Sequence, residues 1–123
     1  MLDYYLSVPP PQDFVSPLPF HFATEKDALP EGVIGDIVPN RIYSSSELLA
    51  YLKASREKYH QLLANMREEN LLERWVENSE AQEPMDYPVL EILLYNLRHL
   101  QHHTAQLNLL LRQNHGLAPG WIA

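Results

Sequence analysis

The sequence predicts an all-α fold: a shortened helical bundle that two copies of the chain complete as a four-helix bundle. Apolar residues recur every three or four positions over two long segments, as they do along one face of a helix. Most of the ten prolines lie before residue 40, so the remaining chain can form long helices. A pair of helices leaves much of its apolar surface in water, and a homodimer buries that surface most simply.

The first third of the chain is predicted to be irregular. Residues 1–6 are short and aromatic and are followed by three consecutive prolines, so we expect them to be the end of a helix. Residues 7–43 contain further prolines and glycines around Phe14, Phe20 and Phe22. This composition is typical of a long loop held to the surface by aromatic side chains.

A long helix is predicted over residues 45–78. Ser44 and Glu47 form a capping-box pattern, in which each side chain satisfies a free backbone N–H at the start of a helix. Mostly apolar side chains then recur at three- and four-residue spacing from Leu48 to Met66. The phase of the apolar pattern changes at Asn70, so we expect a break near residues 67–70.

The final helix is predicted over residues 87–114. Asp86 is a suitable N-cap residue, and Pro88 is tolerated in a first turn because its missing N–H would be unpaired there in any case. Gly116 is expected to adopt a left-handed cap, with Pro119 preventing continuation. Residues 115–123 form a tail, and residues 1–123 constitute a single domain.

Composition excludes several classes of partner. The formal charge of −7, with nine basic and sixteen acidic residues, argues against a nucleic-acid-binding protein. No signal peptide or membrane span is recognisable, so no membrane partner is expected. The chain contains no cysteine, which excludes disulfides and thiolate metal ligands and favours a cytoplasmic location.

A cluster of histidines on the final helix is the strongest chemical signal. His99 and His103 are four residues apart, so their imidazoles lie on one helix face, one turn apart. Two imidazoles in this arrangement can bind one divalent ion such as zinc or nickel. The alternative is that they are ordinary, partly buried histidines that bond to neighbouring groups.

The residues around this cluster resemble a known family. The run RHLQHHTAQLNLLLRQ, followed by Gly116, Pro119 and Trp121, resembles the final helix of the DinB-like metal-binding four-helix-bundle family. DYYLSVPPP is similar to the end of that family's second helix. On this resemblance, the first helix and most of the second are expected to be absent from the chain.

The resemblance implies a zinc or nickel ion held by three histidines, two of which match His99 and His103. His102 and Gln106 are expected to support these ligands. The family's third ligand lies on its second helix, before the point that matches Met1. Another residue would therefore have to fill that position, and three alternatives are open: His21, His60, or the histidine pair of a second copy.

Two functions are compatible with the sequence. The chain is predicted to be a DinB-like protein of unassigned activity: a non-catalytic homodimeric bundle with a remnant of the histidine site. Alternatively, it is a metal-dependent enzyme of the hydrolase or thiol S-transferase type that uses His99 and His103 as ligands. The sequence indicates neither a substrate nor a catalytic residue.

Overall fold

The fold combines two long helices with two small sheets. A computed structural model describes residues 2–24, 27, 29, 37–77 and 83–120. The elements, in chain order, are β1 (Phe20–Phe22), β2 (Ile37–Pro39), α1 (Ser45–Asn65), α2 (Glu68–Leu71), β3 (Arg74–Val76), β4 (Asp86–Pro88) and α3 (Val89–His115). β1 pairs with β2 and β3 with β4, both antiparallel. The predicted helical character is therefore present, but the chain is not all-α.

The start of α1 confirms the predicted capping box. The Ser44 hydroxyl accepts a hydrogen bond from the Glu47 backbone N–H, while the Glu47 carboxylate accepts from the Ser44 backbone N–H at 2.8 Å. The Arg41 guanidinium also donates to this carboxylate, at 3.1 Å. The helix is thus held at its first turn by local contacts that the sequence pattern specifies.

Glu47 makes the stability of this region dependent on pH. The Arg41 guanidinium, followed by the backbone and hydroxyl of Ser44, lowers the pKa of Glu47 to about 2. Because the pKa is lower in the folded chain, the stabilisation is present above the unfolded pKa and is lost as the pH falls from about 4 towards 2. Urea unfolding between pH 5 and pH 2, followed by circular dichroism, should show a shallower loss of stability in Glu47→Gln. Arg41→Leu should likewise lose less stability as the pH falls. If Glu47→Gln loses as much stability between pH 5 and pH 2 as the native chain, Glu47 is not the source of the pH dependence.

The middle of the chain differs from the predicted helix over residues 45–78. Helix α1 ends at Asn65, α2 is a single turn, and Trp75 lies in β3, paired with Tyr87 of β4. The Trp75 indole is fully buried, and its Nε1–H donates to the Ser7 carbonyl at 2.9 Å. Burial of this side chain outweighs the local helical spacing. Residue 78 lies outside the described residues.

Helix α3 follows the prediction to within two residues. Its start moves from 87 to Val89 because Asp86 belongs to β4, where its carboxylate accepts from Arg74 Nε at 2.8 Å instead of capping the helix. At its end, Gly116 adopts the predicted left-handed conformation with φ 64°, and its N–H donates to the Arg112 carbonyl. Of the predicted tail, residues 121–123, including Trp121, lie outside the described residues.

The front of the chain also differs from the prediction in detail. Residues 2–6 form a turn, in which the Ser7 N–H donates to the Tyr4 carbonyl at 3.0 Å, rather than the end of a regular helix. The predicted loop over residues 7–43 contains β1 and β2. These strands have three residues each, which is too short for an alternating pattern to be recognised in the sequence.

The core is small and lies at one end of α3. Tyr4 and Tyr5 pack against Trp75, with ring centroids 5.5 and 5.9 Å from the indole, and Val89 and Ile92 complete the cluster. The buried residues of α3 are Val89, Ile92 and Asn96, all in its first two turns. The helix therefore emerges from the core at Asn96, and its C-terminal half is exposed.

Polar contacts attach α1 to the front segment. The Tyr51 hydroxyl donates to the Asp3 carboxylate at 2.7 Å, and the Lys58 ammonium donates to the Asp3 carbonyl and the Ser7 hydroxyl. Desolvation, with a contribution from the Asp3 bond, raises the pKa of Tyr51 to about 12.

Within the described part of the chain, no helix is long and apolar enough to cross a membrane.

Candidate metal site

The predicted histidine pair lies where α3 leaves the core. The Nε2 atoms of His99 and His103 are 3.1 Å apart, and the two ring centroids are separated by 4.5 Å. This is the arrangement that the four-residue spacing predicts. The two nitrogens share one hydrogen bond, so one of them carries a proton in the metal-free form.

Gln106 determines which nitrogen carries that proton. The His103 Nδ1 and the Gln106 Oε1 are 2.8 Å apart, and because an amide oxygen only accepts, His103 donates from Nδ1. In a neutral imidazole, the Nε2 of His103 then holds a free lone pair and accepts from the Nε2–H of His99. Gln106 thus orients the His103 ring with its lone pair towards His99.

The two nitrogens fit a single metal ion. Two ligands bound to tetrahedral zinc at about 2.0–2.1 Å are about 3.3 Å apart, which is close to the observed 3.1 Å. Metal ligation requires neutral imidazole, and burial, followed by the neighbouring His103 and His102, lowers the pKa of His99. Binding would require His99 to carry its proton on Nδ1, so that both Nε2 lone pairs are free.

A groove adjoins the pair along one side of α3. It has a volume of about 410 Å³ and is lined by Met85, by Tyr87 of β4 and by five residues of α3, of which Glu91 and Arg98 are charged. Tyr95 and Arg98 also line a second depression of about 250 Å³ that reaches His99 and His102. The Arg98 guanidinium lies over the Tyr95 ring, 6.0 Å from its centroid. A cationic group therefore lies between the groove and the histidines.

Comparison with known families identifies the fold. The family model described as the DinB superfamily matches residues 8–107, which include α1, β3, β4 and the histidine pair of α3. The chain belongs to the DinB superfamily. This confirms the resemblance of the final helix. DinB superfamily proteins are helical and often bind metal. No curated protein and no solved structure matches the chain.

The predicted supporting residues of this DinB chain differ in their contacts. Gln106 bonds directly to His103, as described above. His102 contacts the side of the His103 ring, with centroids 5.2 Å apart. Gln106 thus contacts His103 through a hydrogen bond and His102 through its ring, and the support of a metal ion by either residue stays a prediction.

The proposed third ligands lie elsewhere in the DinB chain. His21 bonds through its two ring nitrogens to Asn40 and Asp27, at 2.7 and 3.0 Å. His60 lies on α1 beside Arg56, 3.4 Å from its Nε. Across residues 2–24, 27, 29, 37–77 and 83–120, no group of three or more His, Cys, Asp or Glu residues is placed to hold a metal ion. Among these described residues of one chain, the candidate site thus brings together two possible ligands, His99 and His103.

Two residues beside the pair, Tyr95 and Arg98, are not among those that the sequence predicts for the metal site. Tyr95 stacks on His99 with ring centroids 6.0 Å apart, and its own ring meets Tyr5 of the core at 5.4 Å. Tyr95 therefore connects the core to the first histidine. The sequence carries a signal for the contact between Tyr95 and His99, because side chains four residues apart lie on one face of a helix. Arg98 has no comparable signal, since an arginine on a helix is usually solvated.

Proposed function

We propose that this DinB superfamily protein binds a divalent ion of the zinc or nickel type through His99 and His103. The convergence of their Nε2 atoms, with Gln106 bonded to the far nitrogen of His103, carries the proposal. A hydrogen bond to the far nitrogen is the usual means of orienting a metal-binding imidazole. The stacking of His99 on Tyr95, whose ring contacts Tyr5 of the core, further supports it.

Each residue has a distinct part in the proposed site. His99 and His103 hold the ion, Gln106 keeps the lone pair of His103 directed at it, and Tyr95 restrains the His99 ring. A bound zinc or nickel ion supplies a Lewis acid that can activate a water molecule or a thiol. A zinc or nickel ion with two protein ligands has more open coordination positions than a structural site has. The proposal therefore includes a homodimer, in which the second copy supplies further ligands.

Metal binding by protein purified without an affinity tag tests this proposal. Elemental mass spectrometry and zinc or nickel titration should give one ion per chain or per dimer. In the His99→Ala/His103→Ala variant, the affinity should fall by more than about 100-fold, beyond the 10–100-fold typical of losing a supporting residue.

His60→Ala is the matched control, because His60 lies on a different helix and is exposed. This variant should retain the native affinity. A native protein that binds neither ion would overturn the proposal. Equal binding by the double variant would do the same, because the ion would then be held elsewhere.

A metal-dependent enzyme of the hydrolase or thiol S-transferase type is the second candidate. The groove beside the histidines favours it, because its walls are mainly apolar and Arg98, which also lines the depression at His99, can bind an anionic group, while Glu91 is the other charged side chain in the groove. Esters and thiols carrying a carboxylate are therefore the substrates to screen with the metal-loaded protein. Turnover that the His99→Ala/His103→Ala variant lacks would establish this activity, and absence of turnover with metal bound favours the non-catalytic bundle.

A further inference from the structure

The side chain of His21 joins three segments at the front of the chain. His21 is the central residue of β1, and the antiparallel pairing places it opposite Val38 of β2. Its Nδ1 lies 2.7 Å from the Asn40 side-chain oxygen, and its Nε2 lies 3.0 Å from the Asp27 carboxylate. Asn40 follows β2, whereas Asp27 belongs to the segment between the two strands. One imidazole thus connects β1 to both of these neighbours.

The two faces of the β1–β2 hairpin have different contacts. Side chains alternate along a strand, so His21 lies on the face opposite to Phe20 and Phe22. The two phenyl rings contact each other, with centroids 5.8 Å apart. On the other face, Asn40 is two residues beyond Val38, a diagonal position that a long side chain can reach across an antiparallel pair. The bond from His21 to Asn40 is therefore a contact between the two arms of the hairpin.

Both partners of the His21 ring accept hydrogen bonds. The Asn40 atom is an amide oxygen, and an ionised carboxylate has no proton to donate. The backbone N–H of Thr24, the His21 ring and the Thr24 hydroxyl lower the pKa of Asp27 to about 2, so this carboxylate is ionised at neutral pH. The ring therefore donates from Nδ1 and Nε2 together, which only an imidazolium can do. In this state, neither nitrogen has a lone pair for a metal ion.

We propose that His21 is a pH-sensitive clip on the β1–β2 hairpin, closed as an imidazolium and opened at Asn40 when the ring loses one proton. A neutral imidazole donates from a single nitrogen, and the Asp27 carboxylate keeps the remaining proton on Nε2. The Nδ1 lone pair then faces the Asn40 oxygen, and the two atoms repel each other. The Asn40 amide must turn over or move away, so the cross-strand bond in its present form is lost.

The clip is closed over a limited range of pH. The hydrogen bond to Asp27, followed by that to Asn40, raises the pKa of His21. Because the pKa is higher in the folded chain, the stabilisation is fully present below the unfolded pKa of about 6.5 and is lost as the pH rises through the folded pKa. At the acidic end, it is lost as Asp27 takes up a proton between about pH 4 and pH 2.

The other charged groups of this region have partners of their own. The strands β1 and β2 contain no titratable side chain besides His21. The Arg41 guanidinium bonds to Glu47 of α1 and lies over the Tyr43 ring, 5.2 Å from its centroid. Among the described residues, Asp27 supplies the charge that shifts the pKa of His21. The clip therefore depends on one carboxylate and one amide.

The clip lies where the hairpin leads into α1. The Pro19 carbonyl accepts hydrogen bonds from the Asn40 backbone N–H, at 3.1 Å, and from the Tyr43 hydroxyl. Tyr43 directly precedes Ser44, the N-cap residue of α1. Opening of the His21 clip therefore loosens the end of the hairpin beside the start of this helix.

An NMR titration of the native chain in EDTA tests the clip without bound metal. The pKa of the His21 ring should lie above its value in the urea-unfolded chain. Long-range proton–nitrogen correlation spectra should show that Nδ1, rather than Nε2, loses its proton. The backbone amide signals of Thr24 and Asn40 should shift with the same midpoint as the ring. A ring pKa equal to that of the unfolded chain, loss of the proton from Nε2, or amide signals that do not follow the ring overturns the proposal.

Two variants separate the contributions of the partners. Asp27→Asn keeps an acceptor oxygen but removes the charge, so the pKa of His21 should fall towards its value in the unfolded chain. Asn40→Ala removes the second acceptor and should lower the pKa of His21 by less, because the bond to Asp27 is the larger cause of the shift. If neither variant changes the pKa of His21, the two contacts do not hold its proton and the proposal is wrong.

His21→Gln replaces the ring by a side chain that does not titrate. In this variant, the amide signals of Thr24 and Asn40 should no longer shift between pH 5 and pH 9. The matched control is His60→Gln, because His60 is exposed on α1, and this variant should retain the native shifts. Circular dichroism should show native helix content in both variants, since both histidines are exposed. Native shifts in His21→Gln would overturn the proposal.

Discussion

Replacing Trp75 by alanine is expected to lower the free energy of unfolding by about 3–5 kcal/mol. Trp75 is the largest fully buried side chain among the described residues, and it packs on the rings of Tyr4 and Tyr5. Its loss leaves a cavity in a small core and an unpaired carbonyl at Ser7. Because small domains are stable by only about 5–15 kcal/mol, the variant should be largely unfolded at moderate urea concentrations.

Trp75→Phe separates the contribution of packing from that of the indole hydrogen bond. The phenyl ring retains most of the apolar contact but cannot donate to Ser7, so its loss of stability should be clearly smaller. Urea titrations followed by circular dichroism measure both variants at the same protein concentration. A midpoint for Trp75→Ala within error of the native one would show that the aromatic cluster does not hold the fold.

Replacing Gln106 by alanine is expected to weaken zinc or nickel binding by about 10–100-fold. Without the amide oxygen, the His103 ring is free to rotate and to exchange the positions of its proton and lone pair. Since Gln106 is exposed, the stability of the metal-free chain should be unchanged. The effect therefore falls on affinity alone, which distinguishes an orienting residue from one that supports the fold.

Gln113→Ala provides the matched control on the same helix, two turns further on. Titration with each metal should give the native affinity for this variant, and Gln106→Glu should retain binding because its carboxylate also accepts from Nδ1. If Gln106→Ala and Gln113→Ala bind metal equally well, the 2.8 Å contact does not orient the ligand.

The parts of the fold that the sequence predicts are those determined by neighbouring residues. The capping box at Ser44 and the left-handed cap at Gly116 each depend on a few adjacent residues. Both caps can therefore be predicted from a short stretch of sequence. The strand β3 is different. Trp75 satisfies the helical spacing of its neighbours, and only the approach of Tyr4, Tyr5 and β4 favours the extended conformation. Such long-range burial leaves no local pattern.

The same distinction applies to the candidate site. The convergence of His99 and His103 follows from their spacing on one helix, and Gln106 is three residues further along the same face. The surroundings of His21 are different, because its ring bonds to Asn40, 19 residues away, and to Asp27, and neither contact follows from a helical spacing. The groove beside Tyr95 likewise requires β4 to lie against α3, which no pattern within the helix indicates.

The confinement of the core to the first turns of α3 couples ligand binding to helix formation. The residues of α3 beyond Asn96 are exposed apart from the half-buried Asn108, and most of the stability of a helix in a protein comes from tertiary packing. An ion that joins His99 to His103 cross-links two successive turns at the point where this segment begins. Part of the free energy of binding this ion would therefore order the helix backbone. The observed metal affinity would be lower for that reason and would depend on temperature. In the proposed metal-bound form, the histidine pair thus stabilises the exposed half of α3 at its first turn.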